Sequence, residues 1–442
     1  MRGRGAFLDT RPLHSSRPFR DLWIGTSAAQ LGGQIANVAV LAQVWELTGS
    51  PVGTGAIGLA TGVPMVLFGL VGGSLADAVD RRTIVRATSA GQLLAAAGLC
   101  AQALTDNRSV LLLLVLVALE TAFGALGAPA RRTFPVRLLP ADQVASGLAL
   151  TNVSFQAAML AGPALAGVII ARWDFSAAYA AQALAAAVAM LAVIRLPAMR
   201  PDGGASVRGR RAERGGWRII RHRPTLWGSM ATDLSATLLS MPIALFPLVN
   251  EDRFDGNPQT LGLFLSAVAV GGITAGLLSG TVTRLRRAGQ VQLTAAAVWG
   301  LSLAGFGLAG PLWAALGSLA VAGAADTVSV ITRSALVQLE TPDAYRGRVS
   351  SVEHVIGVAG PDLGNFRGGL LASVTSASFS LVVGGLSAVL AVGVVAATNS
   401  SLRAYRTPSP AAPATEADTQ PDTEPDTELP GLKDVDRTGS PG

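Results

Sequence analysis

The sequence has few of the residue types that enzymes and metalloproteins depend on. It contains one cysteine, Cys100, and three histidines, His14, His222 and His354, that lie far apart in the chain. A single cysteine excludes a disulfide framework and a multi-cysteine metal site. The one lysine, Lys433, follows no glycine-rich turn, so the chain lacks a Walker A phosphate-binding loop. These absences predict a protein with no cofactor, no metal site and no enzymatic activity.

Charge is also scarce. Of the 442 residues, 14% are charged and 50% are hydrophobic, whereas a soluble domain carries about 25% charged residues. This composition excludes an ordinary soluble enzyme and a chain that is disordered throughout. The 51 glycines supply the small side chains that let membrane helices approach one another.

Long apolar runs dominate the chain. A helix that spans a bilayer needs roughly 20 mostly apolar residues. The sequence predicts an all-α integral membrane protein with twelve transmembrane helices, at residues 21–47, 53–76, 84–105, 109–128, 143–171, 175–195, 224–249, 259–282, 289–308, 310–336, 349–372 and 376–399.

Arginine is distributed unevenly between the connecting segments. It is concentrated at the N terminus, in alternate loops and in the central connector, while the other loops hold only Arg108, Arg172 and Arg253. Cytoplasmic loops of membrane proteins are enriched in basic residues. We therefore expect a multi-pass protein of the cytoplasmic membrane with both termini in the cytoplasm. The net charge of +6 then reflects topology, and we expect no nucleic-acid partner.

The chain divides into two similar sets of six segments. Arg131 and Arg333 each lie nine residues before a proline, and Gly162-Pro163 has a counterpart in Gly360-Pro361. This similarity predicts a duplicated six-helix unit, with chance resemblance in an alanine-rich sequence as the alternative. The predicted parts are a cytoplasmic N-terminal segment at 1–19, a bundle at 20–195, a basic cytoplasmic linker at 196–223, a second bundle at 224–400 and a disordered acidic cytoplasmic tail at 401–442.

The segment after the second predicted helix carries a recognisable motif. It resembles the helix two–three signature of the major facilitator superfamily, with matches at Gly73, Asp77, Arg81 and Arg82 and departures at Ala78 and Asp80. The Asp-Arg-Arg ending is similar to the branch that contains enterobactin (siderophore) exporters and macrolide-efflux proteins. Gly162 and Pro163 partly match the antiporter signature of drug exporters, whose upstream glycine falls on Ala158. A departure occurs at Asn365-Phe366-Arg367, where an acidic pair around the aromatic residue is expected.

The resemblance implies a fold and a function. It implies two pseudo-symmetric six-helix bundles with a cargo site between them near the middle of the membrane. It also implies secondary active export by alternating access, with protons as the coupling ion, the lipid bilayer as the environment and a monomer as the working unit. The cargo is expected to be a small amphipathic molecule such as a siderophore, antibiotic or drug.

The motif also has a physical interpretation as a conformational latch. Gly73 allows close helix packing, and Asp77 can accept hydrogen bonds from the N terminus of a helix. Arg81 and Arg82 can pair with Asp77, with Asp80 or with lipid phosphates. Such a cluster would hold the two bundles together on the cytoplasmic side and favour the outward-open state. The alternative is that these residues only anchor the topology.

Ionisable residues within the predicted helices are candidates for proton coupling or substrate contact, because burying a charge in a bilayer is costly. They are Glu120, Asp233, Asp326, Arg333, Asp362 and Arg367. A carboxylate here can carry a proton, bind a cationic substrate or neutralise an arginine. Asp233 is open between proton coupling and an ion pair, and Asp326 and Arg333 share one helical face. Arg367 either attracts an anionic ligand or pairs with Asp362.

Two stripes of neutral polar residues accompany these charges. Gln30, Gln34 and Asn37 recur at helical spacing, as do Asn152 and Gln156. Such residues either line a transport cavity or join helices through hydrogen bonds.

Other functions remain as alternatives. The first is an importer or facilitator of a small metabolite on the same fold, and the others are an integral-membrane enzyme and a scaffold or sensor. A secondary exporter with Asp233 in its coupling mechanism predicts that Asp233→Asn abolishes proton-coupled efflux.

Overall fold

The computed structural model describes residues 9–196, 219–278, 287–341 and 346–406, and these residues form helices joined by short turns. The helices of the first part are α1 (Arg11–Ser15), α2 (Arg17–Thr48), α3 (Pro51–Ala78), α4 (Arg81–Leu104), α5 (Val110–Arg132), α6 (Phe134–Leu138) and α7 (Val144–Ile194). Those of the second part are α8 (Pro224–Ser240), α9 (Phe246–Phe254), α10 (Pro258–Leu277), α11 (Ala288–Leu308), α12 (Leu312–Glu340), α13 (Arg346–Val374), α14 (Ala377–Thr398) and α15 (Ser400–Ala404).

Local sequence explains where the helices begin and end. Ser16 accepts a hydrogen bond from the backbone N–H of Phe19 at 3.3 Å and caps α2. Gly49 ends that helix in the left-handed region, with φ of 55°. Ser50 and Pro51 then start α3, where proline at the first turn needs no N–H partner.

The helix α7 contains two predicted segments. Its 51 residues would extend about 76 Å at 1.5 Å per residue, more than twice the thickness of the hydrocarbon core. Asp174 interrupts it with φ of 77° and ψ of 178°, between the segments expected at 143–171 and 175–195. The seventh predicted segment is also interrupted, because a 3₁₀ turn at Ile243–Leu245 separates α8 from α9.

Within the described ranges, nine helical segments are long and apolar enough to cross a membrane. The long helices α2 and α13, which carry much of the polar sequence, are outside that set. The prediction of an all-helical membrane protein is confirmed, and the count of twelve crossings stays a prediction.

Helix contacts repeat between the two parts of the chain. Helix α2 packs along α7, α3 along α5, and α4 along α5 and α7. Six segments later, α8 packs along α13 and α14, α10 along α12, and α11 along α12 and α14. The two parts meet where α3 contacts α13 and where α7 contacts α10. This arrangement is the one that a duplicated six-helix unit predicts.

Glycines bring the paired helices together at equivalent places. A Cβ at Gly25 would lie 2.7 Å from the Cβ of Ala192, so α2 lies against the second half of α7. Gly162 of α7 leaves room for Gln34 of α2, and Gly360 of α13 leaves room for Thr237 of α8. The matching Gly-Pro pairs therefore serve the same packing role in both parts.

Arginines also close helix ends. Arg86 binds the carbonyls of Val193 and Ile194 at the end of α7. Arg253 donates to the carbonyls of Gly307 at 2.5 Å and Ala309 at 2.6 Å, at the end of α11. Carbonyls in the last turn of a helix lack the usual N–H donor four residues further on, and the guanidinium groups supply donors there.

The N-terminal segment is anchored to the start of α7. Ser146 donates a hydrogen bond to Asp9 at 2.8 Å, and Ser15 donates one to Gln143 at 2.5 Å. Arg11 binds the same carboxylate of Asp9 at 2.8 Å. The hydrogen bonds from Arg11 hold the pKa of Asp9 well below its usual range.

Candidate functional site

A cavity of about 610 Å³ lies between helices of the two parts of the chain. Helices α2, α3, α4, α5 and α7 line one side, and α9, α10, α11, α12 and α13 line the other together with the turn at 241–244. Three carboxylates from three helices line it: Glu120, Asp326 and Asp362. Its volume falls within the range of about 300–1,000 Å³ that is usual for small-molecule sites.

Asp362 lies where α3 meets α13. Thr61 of α3 donates a hydrogen bond to its Oδ1 at 3.1 Å. A Cβ at Gly62 would lie 2.7 Å from Oδ2 of the same carboxylate, so glycine is required for α3 to pass this close. Asp362 therefore joins the two parts of the chain and faces the cavity at once.

Glu120 and Arg131 of α5 are both solvated by neutral groups. Gln182 donates a hydrogen bond to Glu120 at 2.5 Å. Arg131 donates to Ser89 at 3.0 Å and to Gln92 at 2.6 Å, and among the described residues it forms no ion pair. All five residues line a second cavity of about 300 Å³ that adjoins the first through Glu120 and Gln92.

A buried ionic triad joins α8, α12 and α13. Arg333 forms an ion pair with Asp233 and a second one with Glu353, at 3.2 Å from Nε to Oε1. Ser334 donates to the same Glu353 oxygen at 3.2 Å. The side chains of Arg333 and Asp233 are only 10% and 6% exposed. Asp233 forms the expected ion pair, and its part in proton coupling stays a prediction.

Asp326 does not pair with Arg333, although both lie on one face of α12. With the described residues, Asp326 forms neither a hydrogen bond nor an ion pair, and it lines the central cavity. Arg367 also lacks its expected partner, because its guanidinium donates to the carbonyl of Leu239 while Asp362 accepts from Thr61. The structure therefore leaves Asp326 free toward the cavity and holds Arg367 against α8.

The polar stripes separate into different environments. Gln34 and Asn37 line the central cavity together with Pro163. Gln30 lines the second cavity. Asn152 is exposed and Gln156 is half-buried, and neither lines these two cavities. The stripe in α2 faces the site, and the stripe in α7 faces away from it.

The predicted latch is only partly described. The surroundings of Gly73, the side chain of Asp77 and the side chains at 346–348 of α13 are outside what the structure describes. Asp80 caps α4 by accepting a hydrogen bond from the backbone N–H of Arg82 at 2.9 Å, and Arg81 and Arg82 form the first turn of that helix. Residues 197–218 of the predicted linker and 407–442 of the predicted tail also lie outside the described ranges.

Several partners in these sites could not be predicted from the sequence. Glu353 binds Arg333 from the following helix, and Gln182 and Thr61 bind cavity carboxylates from helices further away in the chain. Only the packing of the helices brings these residues together.

Comparisons with known proteins agree with this architecture. The family described as "Transmembrane secretion effector" matches residues 10–424. The chain belongs to the major facilitator superfamily, as its motifs predicted. Within that superfamily, it belongs to the transmembrane secretion effector family.

Its curated relatives include two proteins with the same name. The enterobactin exporter EntS of Citrobacter koseri is 25% identical over 419 residues, which cover 93% of this chain and 98% of the relative. The enterobactin exporter EntS of Shigella boydii serotype 18 is 24% identical over 399 residues, which cover 88% and 95%.

Solved structures share the fold at low sequence identity. The nucleoside transporter NupG aligns with a TM-score of 0.70 and 13% identity, over 86% of this chain and 98% of its own. A peptide transporter POT in complex with sulfate aligns with a TM-score of 0.70 and 10% identity, over 88% and 95%. The protein is therefore a multi-pass membrane transporter of the major facilitator fold.

Proposed function

We propose that this protein exports a small amphipathic molecule, such as a siderophore, antibiotic or drug, from the cytoplasm by alternating access and as a monomer. The central cavity carries this proposal, because helices from both parts of the chain line it. A site between two helical units is exposed to each side in turn when the units rock about it. The names of the curated relatives favour export over import.

Contacts at one end of the cavity support a closed gate there. At Ala244, in the turn between α8 and α9, the backbone C=O and N–H both form hydrogen bonds with side chains of other helices. Its carbonyl accepts from Thr54 at 2.7 Å, and its N–H donates to Asn365 at 3.0 Å. Both partners lie near the end of the helices that holds the turn from Gly49 to Pro51, here called the α2–α3 end. The arginine distribution predicts that this end is extracellular, so we propose that this conformation is closed toward the extracellular side.

We further propose that protons drive export through the cavity carboxylates. A charge at bilayer depth costs at least about 2.5–3.5 kcal/mol, so carboxylates at this depth are candidates for function. Glu120, Asp326 and Asp362 line the cavity, and each carboxylate can gain or lose a proton as the cavity opens to one side of the membrane and then to the other. The ion pair of Asp233 with Arg333 supports a structural role for Asp233 instead.

Transport by purified protein in liposomes tests export and coupling together. We expect cargo to move against a proton gradient, with proton flux reported by a pH-sensitive dye. The triple variant Glu120→Gln, Asp326→Asn and Asp362→Asn should lose coupled flux, while the exposed control Asp252→Asn should retain it. Cargo movement that ignores the proton gradient would instead identify a facilitator.

A glycine in the gate allows a separate test of alternating access. A Cβ at Gly369 would collide with the carbonyl of Pro51, whereas one at Gly393 would meet no atom within 4 Å. The background for this test is a Cys100→Ser chain that carries a reporter cysteine, Ile57→Cys, in the cavity wall. Gly369→Val should raise the rate at which an impermeant extracellular thiol reagent labels this cysteine by at least about tenfold. Destabilising the closed gate by about 1.4 kcal/mol suffices for that change. Gly393→Val should leave the rate unchanged, and equal rates in both variants would contradict the gate.

A further inference from the structure

We propose that the cargo is a lipophilic cation and that Asp326 is the carboxylate that receives its positive charge. This inference rests on the proposed function, since it assigns the chemistry of what the central cavity carries. Neither the family description nor the names of the relatives specify a charge.

The charge of the cavity wall is the first observation. Its described lining contains Glu120, Asp326 and Asp362 and no arginine, lysine or histidine. The arginines nearest in sequence bind other groups. Arg367 donates to the carbonyl of Leu239, Arg333 binds Asp233 and Glu353, and Arg131 binds neutral groups in the adjoining cavity. A wall of one sign favours a ligand of the opposite sign.

The three carboxylates differ in what already binds them. Glu120 accepts a hydrogen bond from Gln182, and Asp362 accepts one from Thr61. Asp326 accepts none from any described residue. Asp326 is half-buried, and no hydrogen bond from a described residue offsets the cost of removing it from water, so contact with a cation stabilises Asp326 more than it stabilises the other two. This difference assigns the cation to Asp326.

The remaining wall suits a lipophilic body. Trp299, Phe246 and Met241 line the same cavity, and Trp299 is held in place by donating from Nε1 to Ser240 at 2.9 Å. Aromatic and thioether groups provide apolar contact, and aromatic faces also attract cations. The cavity therefore combines an apolar surface with one free negative charge.

A separate cavity at the α2–α3 end has the same sign. It occupies about 810 Å³ and is lined by Glu46, Asp174 and Glu251, with no basic residue in its described lining. Arg253 follows closely in sequence, but its guanidinium binds carbonyls at the end of α11. A cation that leaves the central cavity toward this end meets carboxylates, whereas an anionic siderophore meets repulsion at both places.

Two probes of nearly equal shape and opposite charge test the inference. Tetraphenylphosphonium and tetraphenylborate would be titrated by calorimetry into purified protein in nanodiscs of uncharged phosphatidylcholine, with empty nanodiscs as the blank. We expect saturable binding of the phosphonium and at least tenfold weaker binding of the borate. Equal affinities, or tighter binding of the borate, would overturn the inference.

Matched variants then locate the charge. Asp326→Asn should weaken phosphonium binding at least tenfold, Asp362→Asn by threefold or less, and Asp252→Asn not at all. The neutral triphenylphosphine oxide should bind unmodified protein and Asp326→Asn equally, which separates loss of charge from collapse of the cavity. Unchanged phosphonium binding in Asp326→Asn would overturn the assignment. If that variant does not fold, the comparison of phosphonium with borate on the unmodified chain decides the charge of the cargo.

Failure of the inference and failure of the proposed function give different results. Export in liposomes with no preference for cations overturns the inference and leaves export intact. Selective phosphonium binding through Asp326 without any transport overturns export and leaves the binding chemistry intact.

Discussion

Two arginines occupy matching places in the two parts of the chain, yet they are neutralised in different ways. Arg131 and Arg333 each lie nine residues before a proline, near the end of a long helix. Arg131 is bound by the neutral side chains of Ser89 and Gln92. Arg333 is bound by the carboxylates of two other helices. The two parts place a cation at matching positions but differ in the groups that bind it.

The difference shows how each part is held together. In the second part, one guanidinium joins α8, α12 and α13, so the removal of Arg333 leaves two carboxylates without a counter-ion. In the first part, Arg131 of α5 donates hydrogen bonds to two uncharged side chains of α4. The removal of Arg131 therefore leaves polar groups without a partner but no unpaired charge. The second part is therefore expected to depend more strongly on its buried arginine.

The largest predicted effect is that of removing Arg333. Arg333→Ala leaves Asp233 and Glu353 buried without a counter-ion, and breaking a buried pair costs about 3–5 kcal/mol. Arg131→Ala should cost about 1–3 kcal/mol, the penalty for unsatisfied neutral groups. Thermal unfolding of the two purified variants in one detergent measures the difference. Equal losses would remove the contrast between the two parts.

Replacing the whole triad sharpens that result. Arg333→Met with Asp233→Leu and Glu353→Met removes all three charges, and such replacements are often neutral or stabilising. We expect the triple variant to unfold at a higher temperature than Arg333→Ala and to retain proton-coupled transport. Loss of coupling in a well-folded triple variant would return Asp233 to the mechanism, as the sequence alone suggested.

A smaller effect is expected where the two parts agree. Arg86 and Arg253 both bind helix-end carbonyls, at α7 and α11. Each alanine variant should lose about 1–2 kcal/mol, because charged hydrogen bonds contribute modestly. Thermal unfolding should give similar losses for both. A loss confined to Arg253→Ala would show that the parts differ at their helix ends as well.

The smallest predicted effect comes from giving Arg131 a carboxylate partner like those that bind Arg333. Gln92→Glu would place a carboxylate beside Arg131, where Gln92 now accepts at 2.6 Å. The gain should be about 1 kcal/mol, the difference between a charged and a neutral hydrogen bond. A double-mutant cycle with Arg131→Ala isolates this term. A gain that survives in the double variant would have another origin.

Much of the fold followed from the sequence because helix length and arginine distribution are properties of short segments. The break at Asp174 falls where two apolar runs were separated. The cost of charge in a bilayer likewise identified Glu120, Asp326 and Asp362, all of which line the cavity.

Other features required the packed structure. The spacing of Asn152 and Gln156 predicts a common face but not its direction, and α7 turns Met159 and Pro163 to the cavity instead. The partners of Arg333 come from α8, about a hundred residues earlier in the chain, and from the next helix, α13, where no sequence pattern distinguishes Glu353. A single sequence shows which residues share a helix face, but the partner of each residue depends on how the helices pack against one another.

The interruption at Ala244 has a consequence for how the transporter tolerates sequence change. Thr54 and Asn365 bind the backbone C=O and N–H of Ala244. Every residue other than proline supplies both of these backbone groups. Mutation at this position can alter bulk but leaves the two docking atoms in place. Relatives of this chain can therefore differ in the side chains around this turn and still form the same two backbone contacts.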